Sequence, residues 1–365
     1  MSLFNSNSMS EVDAVKEEEE FVVKKHVRYF SRCLDILPTQ CQSLDANRMT
    51  ILFFCLSGLD VLDNLSVIDD QRGSEIIEWI YSQQVLPDQS DESSLSKCGF
   101  RGSSFLGVPH DNSKSPVSYP YDCSHIAMTY TALSCLLILG DNLSRINKPA
   151  VLTGIKALQQ PDGSFCSTVE QSESDMRFVY CACCVSYILN DWSVVDVSLT
   201  ADYIKKSLAY NFGFGQGPSL ESHGGSTYCA VASLVLMNKL ESTLTLREIE
   251  RIKKWCIMRQ LTGFQGRPNK PADTCYSFWI GATLEMLGAS DWVDKELNVQ
   301  FILSTEGEYT GGFSKWPKCH PDPLHSYLGL CGLSLTNYSQ LKPISAPLNI
   351  SQRAAEWLQS IRGNF

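Results

Sequence analysis

The chain has 365 residues, 44% hydrophobic and 19% charged, an ordinary globular composition with enough apolar residues for a sizeable core. A formal net charge of -10 argues against general nucleic-acid binding and suits, weakly, a substrate with a basic tail. Apolar runs such as Ile51 to Leu59 or Ala132 to Leu139 fall far short of the roughly 20 residues of a membrane span, and Glu17 to Glu20 occupy the start where a signal peptide would need an apolar region.

A cytoplasmic protein without stable membrane insertion is therefore expected. The 15 cysteines agree, because most lie in apolar helical runs (Cys55, Cys135, Cys181, Cys229, Cys331), as buried thiols of a reducing compartment do. The CACC cluster at 181–184 reads as packing, since no histidine or second cysteine pair stands at ligand spacing nearby.

Residues 1–15 are polar and expected to be disordered, leaving 16–365 as one domain. From Phe21 to Leu37 the positions His26, Tyr29, Phe30, Cys33, Leu34 and Leu37 recur at three and four, an amphipathic helix closed by Pro38. Six later segments share one pattern, an aromatic near the start of a densely apolar helix: RMTILFFCLSGLDVL, HIAMTYTALSCLLIL, DMRFVYCACCVSYIL, HGGSTYCAVASLVLM, DTCYSFWIGATLEML and DPLHSYLGLCGLSLT. Their aligned aromatics, Phe53, Tyr130, Tyr180, Tyr228, Phe278 and Tyr327, are 77, 50, 48, 50 and 49 residues apart.

Between them lie helices with charged outer faces, such as LREIERIKKWCIMRQ, most followed by a glycine-aromatic turn: CGFRG, DGSF, NFGFG, TGFQG, TGGFSKW. Each unit is thus an apolar helix, an amphipathic helix and a turn. Helices apolar all round must be buried on both sides, and those with a charged stripe face water. Six such pairs fit a closed all-α ring, an α-α barrel around an apolar cavity, better than an open solenoid. The polar stretch Leu86 to Tyr121 explains the long first interval and reads as a surface loop.

In a closed ring, equivalent positions of successive units share one level at one mouth. The stretch 263–281, GFQGRPNKPADTCYSFWIG, carries Asp273 and Cys275, two of the ligand types zinc accepts, and His325 of the next unit is the candidate third. Residues i and i+2 of a helix point about 200° apart, so Asp273 and Cys275 can share an ion only if Asp273 is the N-cap, outside the helix proper. Taken singly, Asp273 is a plain helix cap, Cys275 a core thiol and His325 a hydrogen-bonded interior histidine; their common level favours a metal. Three protein ligands leave one position open, the catalytic arrangement.

The same mouth collects donors: His223, followed by Gly224 and Gly225, which would let a ligand approach the backbone, then Arg267, Lys270 and Tyr276. One imidazole, two cations and a phenol would suit a diphosphate. Solvated loop charge is the plainer reading of Arg267 and Lys270.

The motifs ESHGGSTYC, GFQGRPNKPADTCYSFW and GGFSKWPKCHPDPLHSYLGLCGLSL resemble the β subunits of the protein prenyltransferases, and among them those of the type I geranylgeranyl enzymes. The similarity runs from about His26 to about Asn349. It implies the same barrel, a catalytic zinc on Asp273, Cys275 and His325, an α subunit of helical-hairpin repeats, and an isoprenoid diphosphate held by His223, Arg267, Lys270 and Tyr276 with a lysine from that subunit. Lys315 stands where the farnesyl enzyme has a magnesium-binding aspartate, which implies transfer without a Mg²⁺ requirement. Thr50 stands where that enzyme has a tryptophan limiting lipid length, which implies room for a C20 chain. Thr50, Phe54 and Leu324, with Arg177 and Trp279 nearby, resemble the pocket for the substrate's last residue, although plain core packing would equally place Thr50 and Phe54.

The resemblance implies transfer of a geranylgeranyl group from its diphosphate to the cysteine of C-a-a-X proteins such as small GTPases, X being usually Leu or Phe. A farnesyltransferase β subunit is the nearest alternative, from which Lys315 and Thr50 depart; a Rab-type enzyme fits the SKWPKCHPDPLHSYLGLCGL block less well. A triterpene cyclase would need a D-x-D-D motif, which the sequence lacks. A non-enzymatic barrel serving as a binding module would hold no metal.

Overall fold

The computed structural model describes residues 21–37, 39–88, 90–106, 122–170 and 172–362. The reading of 1–15 as disordered therefore lies outside the described residues. A first helix, α1 (Val23–Asp35), leads into alternating inner and outer helices. The inner six are α2 (Arg48–Val61), α4 (Ile126–Ile138), α6 (Met176–Ile188), α8 (Gly224–Leu236), α11 (Thr274–Met286) and α13 (Pro323–Leu335). The outer set is α3 (Asp70–Ser82), α5 (Lys148–Leu158), α7 (Val197–Lys206), α10 (Leu246–Ile257), α12 (Lys295–Leu303) and α14 (Gln352–Ile361), with the single turn α9 (Leu240–Thr243) before α10.

Each inner helix packs on the next, α2 on α4, α4 on α6, α6 on α8, α8 on α11 and α11 on α13, and α13 returns to α2. That last contact closes the ring and excludes the open solenoid. Sequence chemistry explains the two layers. The inner α4 buries all but one of its 13 residues, whereas the outer α10 buries only Ile252, Trp255 and Cys256 and turns its charges to water. The hydroxyl of Thr245 and the carboxylate of Glu248 cap the start of α10 reciprocally.

The glycine-aromatic turns link the layers. Phe100, Phe165, Phe214, Phe264 and Phe313 have no exposure, and full burial of each ring is worth about 1.5–3 kcal/mol. A hydroxyl four residues past the inner helix's N-cap fixes several of them: Thr129, Thr227 and Ser326 accept from the backbone N–H of Phe100, Phe214 and Phe313 at 3.0, 3.0 and 2.9 Å. In these three units the turn thus sets where the following inner helix begins, and with it the level of the mouth.

The other end is closed. Tyr228, Tyr180, Tyr130 and Tyr327 donate through their hydroxyls to the carbonyls of four consecutive residues, Ala346, Pro347, Leu348 and Asn349, at 2.8, 3.1, 2.8 and 2.8 Å. The repeat's own aromatics therefore hold a plug between the short strands β1 (Ile344–Ser345) and β2 (Ile350–Ser351). Nothing in the repeat pattern announced it.

The stretch after Leu86 corrects a sequence expectation. It is not a surface loop throughout: Gln84–Val85 pairs with Gly99–Phe100, Glu92–Lys97 forms a 3-10 helix against α5, and Cys98, Phe100 and Arg101 are buried. Arg101 meets Asp122 through both carboxylate oxygens at 2.8 Å, which satisfies a charge that burial would otherwise penalise. The polar composition concealed a core contribution made by few residues.

Candidate active site

The inner helices begin at one mouth, and side chains cap five of them: His125, Asp175, His223, Asp273 and Asp322 each accept from a backbone N–H two or three residues on. Asp273 is an N-cap as its spacing to Cys275 requires, with Oδ1 accepting from the Cys275 N–H at 3.0 Å. Its carboxylate lies outside the helix while Cys275 sits in the first turn. The candidate ligand atoms of Asp273, Cys275 and His325 all lie within 4.8 Å of one another.

The third ligand is oriented from behind. Asp322 caps α13 through Oδ1, 3.0 Å from the His325 N–H, while its Oδ2 stands 2.6 Å from His325 Nδ1. That bond places the ring proton on Nδ1 and presents Nε2, 3.3 Å from Asp273 Oδ1, to the centre of the group. Sequence reasoning missed Asp322; the D-P start of a helix with His three residues on was its signal.

The electrostatics fit a cation. Burial resists charge on His325, but the carboxylates of Asp273 and Asp322 outweigh it and raise the imidazole to about 9. Burial and the Asp273 carboxylate push the Cys275 thiol well up, Lys315 acting the other way. One carboxylate, a thiol and an imidazole backed by a second carboxylate thus converge on one point, and a divalent ion there would stabilise the thiolate and the neutral imidazole together. Lys315 stands 3.8 Å from Asp273 Oδ2, over the Trp316 ring at 4.5 Å. Its carbonyl accepts from the Thr274 N–H at 3.0 Å, fastening the TGGFSKW turn to the start of α11.

Along the same mouth Tyr276 follows Cys275. Its hydroxyl oxygen is 2.8 Å from His223 Nε2, and His223 Nδ1 accepts from the N–H groups of Gly225 and Ser226 at 3.0 and 3.4 Å. Burial, then the nearby Arg267, lower the His223 pKa and keep the ring neutral. With Nδ1 an acceptor, the single ring proton is on Nε2 and donates to Tyr276. The phenolic hydrogen remains available, and burial pushes the phenol's pKa up so that it stays protonated.

The glycines beside this pair serve the protein's own rings. A Cβ on Gly266 would lie 2.1 Å from Tyr276 and one on Gly224 2.9 Å from it, so the expected room for ligand at Gly224 is taken. At Gly225 the nearest atom is the His223 ring, 3.1 Å away. Arg267 pairs with the exposed Glu221 at 2.9 Å, and Lys270 is exposed in the same turn.

The remaining residues divide. Thr50 contacts Met128 of α4, its hydroxyl 3.3 Å from the sulfur, and Phe54 lies one turn on, its ring 6.0 Å from Tyr327. Phe54 thus faces the seam between α13 and α2 and Thr50 turns toward α4, while Leu324 lies in the first turn of α13, three residues before Tyr327. Arg177 of α6 pairs with Asp175 at 2.6 Å and Glu173 at 3.2 Å, while the Trp279 ring of α11 lies tilted against Tyr228 at 5.0 Å. Each therefore sits two helices from α2 around the ring. The neighbours Met128 and His125 escaped the sequence reading because nothing local marks them.

The prenyltransferase alpha-alpha toroid domain family matches residues 21–350. The geranylgeranyl transferase type-1 subunit beta of Dictyostelium discoideum is 39% identical over 93% of this chain and 98% of its own length, and that of Arabidopsis thaliana 38% over 92% and 90%. The solved structure of Candida albicans protein geranylgeranyltransferase-I complexed with GGPP superimposes with a TM-score of 0.81 at 28% identity, covering 94% of this chain and 99% of the other. Ring closure, the level of the mouth and these likenesses coincide over the same residues: the chain belongs to the prenyltransferase alpha-alpha toroid family.

Proposed function

We propose that the chain is the β subunit of a heterodimeric enzyme that transfers a geranylgeranyl group from geranylgeranyl diphosphate to the cysteine of C-terminal C-a-a-X sequences ending in Leu or Phe. The observation that carries this reading is that α11 presents both chemistries at one mouth: Cys275 within 4.8 Å of its partner ligand atoms, and Tyr276 hydrogen-bonded to His223. Asp273, Cys275 and His325 would hold the ion, a set whose sulfur, nitrogen and carboxylate donors favour zinc.

Zinc bound there supplies a Lewis acid that lets the substrate thiol, ordinarily of pKa about 8.5, react as thiolate at neutral pH. In the transfer the sulfur forms a bond to C1 of the isoprenoid while the C1–O bond breaks and diphosphate departs. Tyr276 donates its free hydroxyl proton to the departing oxygens, and His223 holds that hydroxyl in place. Arg267 and Lys270 add positive charge from the turn before Asp273, and a lysine of the α subunit joins them. Lys315, already beside Asp273, meets the charge that a Mg²⁺ ion would otherwise neutralise. The apolar inner helices exclude water from the lipid, with Thr50 leaving length for a C20 chain; Phe54 and Leu324 receive the substrate's last side chain, with Arg177 and Trp279 flanking. A cytoplasmic location is part of this proposal; among the described residues no helix is long and apolar enough to cross a membrane.

The test is transfer of C15 and C20 groups to peptides ending in Leu or Met by the chain co-purified with its α subunit, with and without Mg²⁺. C20 transfer to the Leu peptide that survives Mg²⁺ removal is expected. Preferred C15 transfer requiring Mg²⁺ would overturn the roles given to Lys315 and Thr50, and a metal-free, inactive protein would favour a binding module.

A further inference from the structure

On the outside of the ring, α1 packs against α2 with the two chains running in opposite directions. Gly58 marks their close approach, since a Cβ there would stand 2.5 Å from the Phe30 ring. Three residues on along α1 and three back along α2, Cys33 meets Cys55; one further step brings Leu37 and Ile51 to the same cavity. Cys33 lines this cavity of about 310 Å³ beside Leu37, Ile51 and Trp79, with the half-exposed Arg48 and Arg72 in its wall. A small polar oxidant can therefore reach Cys33 without unfolding, while Cys55 lies fully buried behind it.

We infer that Cys33 and Cys55 form a peroxide-responsive dithiol that closes to a disulfide between α1 and α2. Sulfur reactivity is governed by thiolate character and access, and the register of the two helices, with Gly58 against Phe30 on one side and Leu37 with Ile51 on the other, sets the two cysteines opposite one another. The neighbouring Cys55 thiol lowers the Cys33 pKa against its burial, whereas burial raises Cys135, Cys181, Cys183, Cys184, Cys229 and Cys256.

The steps balance with hydrogen peroxide as oxidant. The Cys33 thiolate attacks one peroxide oxygen and the O–O bond breaks; with one proton the leaving hydroxide becomes water, and Cys33 is a sulfenic acid. The Cys55 sulfur then attacks the Cys33 sulfur, the S–O bond breaks, and the thiol proton leaves with the hydroxyl as a second water. Sulfur is oxidised to the disulfide and peroxide reduced to water. The bond would tie α1 to the helix that carries Thr50 and Phe54, the latter adjacent to Cys55 in sequence.

The inference does not rest on the transferase reading, and its test does not read activity. The chain co-purified with its α subunit is exposed to hydrogen peroxide, free thiols are alkylated after denaturation, and peptides are mapped by mass spectrometry. A Cys33–Cys55 disulfide is expected to form at least about tenfold faster than oxidation at buried Cys135, and to revert with dithiothreitol. In Cys55→Ala a Cys33 sulfenic acid should accumulate and react with dimedone. Oxidation at the exposed Cys319 with Cys33 and Cys55 still alkylated as free thiols would overturn the inference, and the unmodified chain alone gives that result if the variant fails to fold.

Discussion

The hydroxyl of Tyr276 receives a hydrogen bond from His223 Nε2 at 2.8 Å, because two backbone N–H groups at the start of α8 occupy the other ring nitrogen. A helix cap thus sets the direction of a phenolic proton on the neighbouring helix. Tyr276→Phe removes that proton while keeping the ring that Gly224 and Gly266 make room for. The expected outcome is a fall of about tenfold in kcat, near 1.4 kcal/mol, with bound zinc unchanged. Equal loss of zinc, measured by elemental analysis, would place the residue's role elsewhere.

Asp322 orients His325 through a 2.6 Å bond to Nδ1. Asp322→Ala frees the ring and is expected to weaken zinc binding by about 10–100-fold, read by competition with a chromogenic chelator. Asp322→Asn keeps a helix-capping oxygen but loses the charge, and should fall between the two. Unchanged affinity in both variants would show that packing alone holds the ring.

Lys315 contributes its charge 3.8 Å from Asp273. In Lys315→Asp, transfer without Mg²⁺ should drop and added Mg²⁺ should restore part of it, followed as initial rate against Mg²⁺ concentration. A flat response would count against the proposed substitution of ammonium for metal.

Two caps titrate. Burial lowers the pKa of His125 and of His223, and each accepts a backbone N–H on Nδ1. A depressed histidine value means the unfolded chain takes up its proton first as pH falls. The stabilisation is therefore complete above the ordinary imidazole value of about 6.5 and is lost progressively below it. Melting temperature should decline below that pH, and His125→Asn, which keeps a capping oxygen without a titratable ring, should flatten the decline. An identical slope in the variant would remove His125 from the account.

Tyr228→Phe deletes the donor to the buried Ala346 carbonyl. Leaving that acceptor unpaired should cost about 1–3 kcal/mol in unfolding free energy, measured by denaturant titration. A change within a few tenths would mean that water replaces the phenol.

The barrel was legible because its signal is long and periodic: six apolar helices recur at nearly constant spacing, and the ring they form agrees helix for helix. Asp273 could be read as an N-cap because Asp-x-Cys cannot otherwise share an ion. Asp322 is also local in sequence, but its second role, bonding the ring of its own helix's third residue, appears only once side-chain direction is known. Met128 beside Thr50 and the plug under the tyrosines depend on contacts between distant units, which no local pattern encodes. The buried Arg101–Asp122 pair escaped for the opposite reason, since charged residues in a polar stretch look like surface until the fold encloses them.

The tyrosines of the second, third, fourth and sixth units all bond to residues 346–349, and Arg353 reaches back to Asp60 on the first inner helix at 2.8 Å. During synthesis these phenols have no native acceptors until residues 346–349 have left the ribosome. Until then α13 can close the ring on α2 while the plug is missing and the apolar lining stays uncovered, a species prone to aggregation. A chain truncated before residue 346 should therefore keep its ring of helices but aggregate more readily than one that carries the plug.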